Sequence, residues 1–322
     1  MKSKIKNYFP EPTVACIVFF MVWLAGAVND REVIFPEIAA IATGALLAPK
    51  YTWNVSKKRI FLLLLLCGTL GMGSVYFLPL GLTGQLMIAA VISQVIYLYS
   101  RTTFAPLVSA IVLPVLLQTK SVWYLISLIL FTGIILGASC VIEKYEIRPK
   151  NTYVKVELPR KEDFTAAIIR CSIMCIMIAV AIRMDVRFAV APPLLVAFTE
   201  FCKPGTHIKE KWVRYLVLLT GCAAIGAAVR YCVTVMGGYP LYVSALIAIC
   251  AFLLVLRVSN IYLPPAGAMV LLAMLIPEDA IVVYPLQILL GAGVYIIVSV
   301  IYAKIRSMLT LVSPSEQAVT NI

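Results

Sequence analysis

Charge and histidine are scarce in this sequence of 322 residues, and both shortages exclude functions. Charged residues make up 13% of the chain, about half the share found in an average soluble domain. The one histidine, His207, lies in a basic loop, and the nine cysteines contain no CxxC pair. We therefore expect no metal site or other cofactor and interpret the cysteines as small packing residues. HExxH and GxxxxGK[ST] motifs are also missing, so we expect neither an enzyme nor ATP-driven work.

Apolar residues take the place of the missing charge. They make up 62% of the chain, and its mean hydropathy is +0.99. The apolar runs predict helices, because the isolated alternating strands of about ten residues that mark a membrane barrel are absent. The sequence thus predicts an all-α polytopic membrane helix bundle. With the N-terminus in the cytoplasm, the runs give about 12 membrane segments: 12–29, 35–48, 60–78, 83–99, 104–118, 122–142, 164–182, 189–202, 215–236, 240–256, 263–276 and 281–303.

The net charge of +12 is distributed in a way that indicates topology. This threading places 21 of the 27 lysines and arginines on the cytoplasmic side, as the positive-inside rule requires. They are Lys2, Lys4, Lys6, Lys50, Lys57, Lys58, Arg59, Arg101, Lys144, Arg148, Lys150, Lys155, Arg160, Lys161, Lys203, Lys209, Lys211, Arg214, Arg257, Lys304 and Arg306. We therefore predict a multi-pass protein of the cell (plasma or inner) membrane with both termini cytoplasmic. No nucleic-acid partner is expected.

The chain also repeats itself. "RIFLLLLLCGTLGMGSVYF" (59–77) aligns with "RYLVLLTGCAAIGAAVRYC" (214–232), including the arginine, cysteine and second glycine of each. Six segments return a unit to its starting side, so the two units are expected to be parallel repeats related by an axis along the membrane normal. The predicted divisions are a first membrane repeat 1–145, a cytoplasmic linker 146–161, a second membrane repeat 162–306 and a cytoplasmic tail 307–322.

Four of the apolar runs are short and interrupted by proline or glycine: 36–48, 104–118, 191–202 and 263–276. They take second and fifth place in each unit, and such matched segments point to the substrate site of a transporter. A helix that begins at a proline inside the membrane leaves unpaired N–H groups and a partial positive charge, which suit an anion. The alternative is that the prolines only kink ordinary helices.

Polar and small residues in or near these segments are the candidate substrate-binding residues: Glu37, Thr43, Pro106, Ser109, Glu200, Arg230, Pro264, Pro265 and Gly267. Ionisable groups within a membrane are costly and often functional. Each ionisable residue also has an alternative role that does not involve a substrate. Glu37 could be interfacial, Arg230 could snorkel outward, and Glu200 could form a buried ion pair with Arg170. The hydroxyls and amides could bond helix to helix: Thr43, Ser109, Gln85, Gln94 and Gln287.

The stretch "YLPPAGAMVLLAML" (262–275) resembles the HPP family of integral membrane proteins, which is named for a His-Pro-Pro motif before a Gly/Ala-rich run. Leu263 stands where that family has histidine, and the first unit keeps only "FAPLVSA". The basic loops followed by glycine-punctuated runs are similar, more weakly, to exporters of the fusaric-acid-resistance type. The resemblance implies a transporter, and a small anion as cargo, because some HPP relatives are associated with nitrite transport.

These observations predict a secondary transporter or permease for a small anion or organic acid, held between the repeats by the N-termini of the short helices. Glu200 is the better candidate for a proton-coupling carboxylate. The expected partners are the substrate, the lipid bilayer and a possible homo-oligomer. The alternative is a non-transporting membrane module for assembly or for sensing through the linker. The site assignment predicts that the short segments of the two units converge on a polar cavity between the repeats, and it is wrong if they lie on the lipid face with no cavity.

Overall fold

The computed structural model describes residues 10–203 and 205–312, and the regular secondary structure of this part is helical, without strands. Lys2, Lys4, Lys6 and the end of the predicted tail lie outside that part. The helices are α1 (Glu11–Ala27), α2 (Glu37–Ala42), α3 (Lys57–Phe77), α4 (Leu82–Tyr99), α5 (Leu107–Leu117), α6 (Trp123–Lys144), α7 (Lys161–Arg183), α8 (Pro192–Phe201), α9 (Ile208–Val229), α10 (Leu241–Ser259), α11 (Pro264–Leu275) and α12 (Tyr284–Val312). Below, α1–α6 are the first half and α7–α12 the second half.

Seven of these helices are long and apolar enough to cross a membrane: α3, α4, α6, α7, α9 with its π-helical extension to Met236, α10 and α12. Large apolar side chains such as Leu62, Ile176 and Val217 project from them, each more than half exposed. Such surfaces are stable against lipid and would be costly in water. The prediction of a multi-pass helical membrane protein is thereby confirmed in its coarse form. The count of 12 segments and the two-repeat arrangement stay predictions.

The short helices form the centre of the bundle. Side chains all around α5, α8 and α11 are buried, which accounts for sequences that are apolar on every face. Each short helix begins at a proline: Pro36 precedes α2, Pro106 precedes α5, and proline pairs open α8 and α11. With 11 residues, α5 is about 16 Å long, roughly half the thickness of a hydrocarbon core.

Helices of the two halves pair across the bundle. α1 packs against α10 and α4 against α7, while in the centre α2 packs against α11 and α5 against α8. Within each half, the fifth helix also packs against the third, as α5 on α3 and α11 on α9. The short helices therefore connect the halves in addition to filling the centre.

Two glycines permit the closest of these contacts. A Cβ atom on Gly71 of α3 would lie 2.4 Å from the carbonyl oxygen of Ile111, and one on Gly226 of α9 would lie 2.5 Å from that of Val270. Only glycine allows the long helix to approach the short helix so closely. The two positions occupy matching places in the two halves.

The predicted linker lies against the first half. Arg101 donates to the carbonyl of Val156 at 2.9 Å, and Asn54 exchanges two hydrogen bonds with Val154. Arg148 donates to the carbonyls of Ala45 and Ala48 at the end of the π-helical turn Thr43–Leu47. Hereafter, the end of the bundle that carries this segment is the linker end.

Candidate functional site

Two predicted site residues, Glu37 and Ser109, are in contact in the centre of the bundle, and a third, Gly267, packs against Ala39 two residues further along α2. Glu37 is in the first turn of α2, Ser109 in the first turn of α5 and Gly267 in the first turn of α11. We call this place, defined by Glu37, Ser109 and Gly267, the central junction. Pro106, Pro264 and Pro265 sit directly before or within the same first turns and are buried. The convergence of short segments was expected from the sequence.

Glu37 is buried within the protein, with 1% of its surface exposed. The Ser109 hydroxyl donates a hydrogen bond to the Oε1 atom of Glu37. The Oε2 atom of Glu37 is also buried and has no hydrogen-bond partner. Because an unsatisfied carboxylate oxygen in an apolar interior is costly, this group is a candidate for binding a proton or a ligand.

Two tyrosines that the sequence reasoning missed flank the junction. Tyr124 of α6 donates to the carbonyl of Ala110 at 2.8 Å, and Tyr284 of α12 donates to that of Met269 at 2.9 Å. Both phenols lie within electrostatic range of Glu37. Because both hydroxyls donate to helix carbonyls, neither donates to Glu37 Oε2. Their matching places near the start of the last helix of each half could have identified them.

Gly267 makes room for the contact between the halves. A Cβ atom added there would lie 3.2 Å from the Cβ of Ala39 and 3.0 Å from the ring of Phe252. The backbone of α11 at Gly267 therefore packs against the side chain of Ala39 on α2, and a larger residue than glycine has little room there. The junction is closely packed and closed to solvent, as the burial of Glu37 and Ser109 also shows. The predicted polar cavity is not open at this position.

Thr43 uses its hydroxyl within its own helix. It donates to the carbonyl of Ala39 at 2.7 Å, and Thr199 donates to that of Leu195 at 2.8 Å in the matching place of α8. Ser and Thr bonds to the carbonyl four residues earlier satisfy the hydroxyl and bend the helix slightly. Thr43 thus supports the shape of the short segment, and its hydroxyl does not form the bond between helices that was the alternative to substrate binding.

Glu200 lies toward the linker end and away from the central junction. Trp53 of the first half donates from its indole nitrogen to Glu200 Oε1 at 2.7 Å. The Trp53 ring also contacts Phe104 edge to face and occupies the space over Gly44. Glu200 is partly exposed. It closes a contact between a loop of one half and the last turn of α8 in the other.

The predicted Arg170–Glu200 ion pair is wrong. Arg170 donates to Gln94 Oε1 at 2.8 Å, and the amide of Gln94 donates to Thr199 at 3.1 Å. The guanidinium also lies over the ring of Tyr97. This chain of contacts joins α4, α7 and α8 and satisfies Arg170 with neutral partners, while Glu200 faces Trp53.

Arg230 does not snorkel outward, because only 1% of its surface is exposed. Its Nη1 atom donates to the carbonyls of Ala273 and Ile276, both at 2.6 Å. These carbonyls belong to the C-terminal end of α11, where a cation is favourable. Arg230 therefore holds the far end of α11, at the other end of that helix from Gly267. Its Nε atom has no partner.

A small cavity of about 10 Å³ at the linker end is bordered by Gly44, Tyr51 and Trp53, and it has room for about one water. Tyr51 donates to Glu143, which also binds Lys57 at 2.7 Å. Burial raises the pKa of Tyr51, and the hydrogen bond to Glu143 raises it further. This cluster fastens the loop that carries Trp53.

In comparisons with known proteins, no family model, no curated protein and no solved structure matches the chain. The resemblance to the HPP family accordingly stays a prediction that rests on the residues at 262–275.

Proposed function

We propose that this protein is a secondary transporter in which a small anion or organic acid passes between two six-segment repeats. The observation that carries the proposal is the pairing of short helices across the halves, α2 with α11 and α5 with α8. Interrupted helices at matched places between two units are typical of transporter substrate sites. A bundle built only for assembly has no need of half-length helices at its centre.

Matched contacts support the repeat. Gly71 and Gly226 meet carbonyls of α5 and α11. Tyr124 and Tyr284 donate to carbonyls of the same two helices. These contacts are matched in the two halves, whereas Glu37 has Pro193 in the matching place.

The first turns of α5, α8 and α11 support an anion as the cargo. None of the three has a side chain that caps its N-terminal N–H groups. Uncapped N-terminal N–H groups and the positive end of a helix dipole attract anions and acceptor-rich groups. In the closed bundle these turns face protein, and a substrate would reach them when the halves separate.

Two contacts between the halves are suited to act as gates. At the linker end, Trp53 binds Glu200. At the opposite end, Arg31 pairs with Glu278 at 3.5 Å, with both side chains 56% exposed. Alternating access requires one end to open while the other stays closed. A hydrogen bond and an exposed ion pair are weak enough to break in such a cycle.

Uptake of a panel of anions (nitrite, nitrate, formate, acetate and lactate) into proteoliposomes tests the proposal. We expect saturable uptake of at least one anion and a marked reduction in Pro265→Ala, which alters the first turn of α11. Pro12→Ala, at the exposed first turn of α1, is the matched control and should leave uptake unchanged. If no anion moves, and Pro265→Ala leaves the phenotype of the host intact, the transporter proposal is wrong and the assembly or sensing module is favoured.

A further inference from the structure

We propose that Glu37 binds one proton for each anion that enters the central junction, so that the transporter is driven by a proton gradient. The inference rests on the proposed function and adds its coupling ion. It starts from one atom, Glu37 Oε2, which is fully buried and has no partner.

An ionised carboxylate in an apolar interior needs a cation or several hydrogen bonds. Glu37 has one side-chain donor, Ser109, on Oε1. Four ion pairs occur among residues 10–203 and 205–306, and Glu37 belongs to none of them. A bound proton supplies the missing positive charge and needs no more space than the closed junction provides.

The other titratable groups around the junction do not supply this charge. Tyr124 and Tyr284 face Glu37 from α6 and α12, and both donate to helix carbonyls. Cys67 of α3 and Cys222 of α9 lie near these two phenols and are buried. All four are neutral acids that add no positive charge beside Glu37.

The helices packed against α2 supply none either. On α6 the one cation, Lys144, is exposed at the linker end. The sequence of α11 contains no titratable residue. On α1, Glu11 lies beside Arg257 at the linker end and Cys16 is exposed. In the loop before α2, Arg31 is exposed and pairs with Glu278.

In the same loop, burial raises the pKa of Glu32, although the Ser121 amide donates to it and counteracts the rise. Asp30 accepts a hydrogen bond from the Ser121 hydroxyl. Both groups are acids held by the next loop, and neither offers Glu37 a cation.

The position of Glu37 couples the proton to the anion. A carboxylate in the first turns of α2 and α5 repels an anion that approaches the same N-terminal turns, whereas the protonated group does not. Anion binding therefore strengthens proton binding, and by reciprocity the proton strengthens anion binding. The proton leaves Glu37 when the anion leaves, which returns the carboxylate to its charged form on the other side.

Glu200 is less suited to this role than the sequence indicated. It is partly exposed, its Oε1 atom is bound by Trp53, and it lies away from the first turns of α5 and α11. Glu162→Gln, which removes an exposed carboxylate in the first turn of α7, serves as the control for Glu37→Gln.

The test uses purified full-length protein in proteoliposomes with the anion identified by the uptake panel. Under an inward proton gradient of one pH unit, the wild type and Glu162→Gln should accumulate the anion up to about tenfold, the limit for one proton per anion. Glu37→Gln should exchange labelled anion across the membrane but lose accumulation. Ser109→Ala removes the donor to the charged carboxylate, so half-maximal uptake should move to higher pH.

Each other outcome is decisive. Accumulation by Glu37→Gln equal to that of the wild type overturns the role of Glu37 and leaves the transport proposal standing. Accumulation driven by a sodium gradient and indifferent to pH overturns the proton as the coupling ion. If Glu37→Gln does not fold, an unmoved pH profile in Ser109→Ala overturns the inference. A wild type that moves no anion overturns the proposed function and the inference together.

Discussion

Trp53 and Glu200 form a hydrogen bond of 2.7 Å that joins a loop of the first half to the last turn of α8 in the second. The Trp53 ring fills the space over Gly44, so the loop also packs against the π-helical turn Thr43–Leu47. This hydrogen bond therefore joins the two halves at the linker end of the bundle.

Removing either partner of this bond should destabilise the protein. Trp53→Phe removes the indole donor and keeps an aromatic ring, and Glu200→Ala removes the acceptor. Since Glu200 is partly exposed, we expect a coupling of about 1 kcal/mol between the two changes in a double-mutant cycle. The measurement is the free energy of unfolding in mixed micelles, with the exposed Trp212→Phe as control. Strictly additive effects would show that the bond does not hold the halves together.

The sequence predicted the short helices well, because prolines mark their starts. The run 263–276 became α11 at Pro264–Leu275, and the run 104–118 became α5 at Leu107–Leu117. The sequence could not predict which face of each helix a side chain lies on. Arg170 and Glu200 are both predicted in the cytoplasmic half of their segments, yet Arg170 binds Gln94 and Glu200 binds Trp53.

The pairing of helices across the two halves could not be predicted either, because it joins residues far apart in the chain. The sequence marked Glu37 as either interfacial or functional, and its depth depends on the contact of α2 with α11. The contact of Gly267 with Ala39, in the turn that carries Glu37, links positions more than 200 residues apart. Apolar periodicity gives no signal for such a contact when a helix is apolar on every face.

Arg230 should be one of the most important single residues for stability. Arg230→Met leaves the carbonyls of Ala273 and Ile276 without their donor in a buried place, and we expect a loss of about 3 kcal/mol. Arg230→Lys should recover part of it, because an ammonium can still bind a carbonyl but is shorter. Unfolding in mixed micelles measures both, against the exposed Arg183→Met as control. Equal stability of Arg230→Met and the control would show that Arg230 is not the cap of α11.

The orientation of the chain can be tested without transport. We expect a cysteine at Lys120 to react with an impermeant maleimide on intact cells, and one at Lys150 to react only after permeabilisation. The reason is the basic character of the linker end, which the positive-inside rule places in the cytoplasm. The unmodified chain, with its nine cysteines, sets the background. Labelling at Lys150 in intact cells would reverse the predicted topology and exchange the two proposed gates.

The two close-contact glycines, Gly71 and Gly226, allow the same substitution to be compared in the two halves. Gly71→Ala and Gly226→Ala place a methyl group 2.4 and 2.5 Å from a backbone oxygen of the short helix. A backbone oxygen cannot turn aside as a side chain can, so α3 must move from α5, and α9 from α11. We expect each change to lower the free energy of unfolding by about 1–3 kcal/mol.

Neighbouring glycines on the same helices are the matched controls. A methyl group at Gly73 would have its nearest neighbour at 3.9 Å, and one at Gly221 would meet nothing within 4 Å. Gly73→Ala and Gly221→Ala should therefore be neutral or slightly stabilising, because alanine favours the helix. Similar losses at Gly71 and Gly226 would support equivalent packing in two repeats, since each contact would carry the same cost. A large loss in one half and none in the other would mean that the halves pack differently at these positions, which would count against the repeat and against a path between equivalent units.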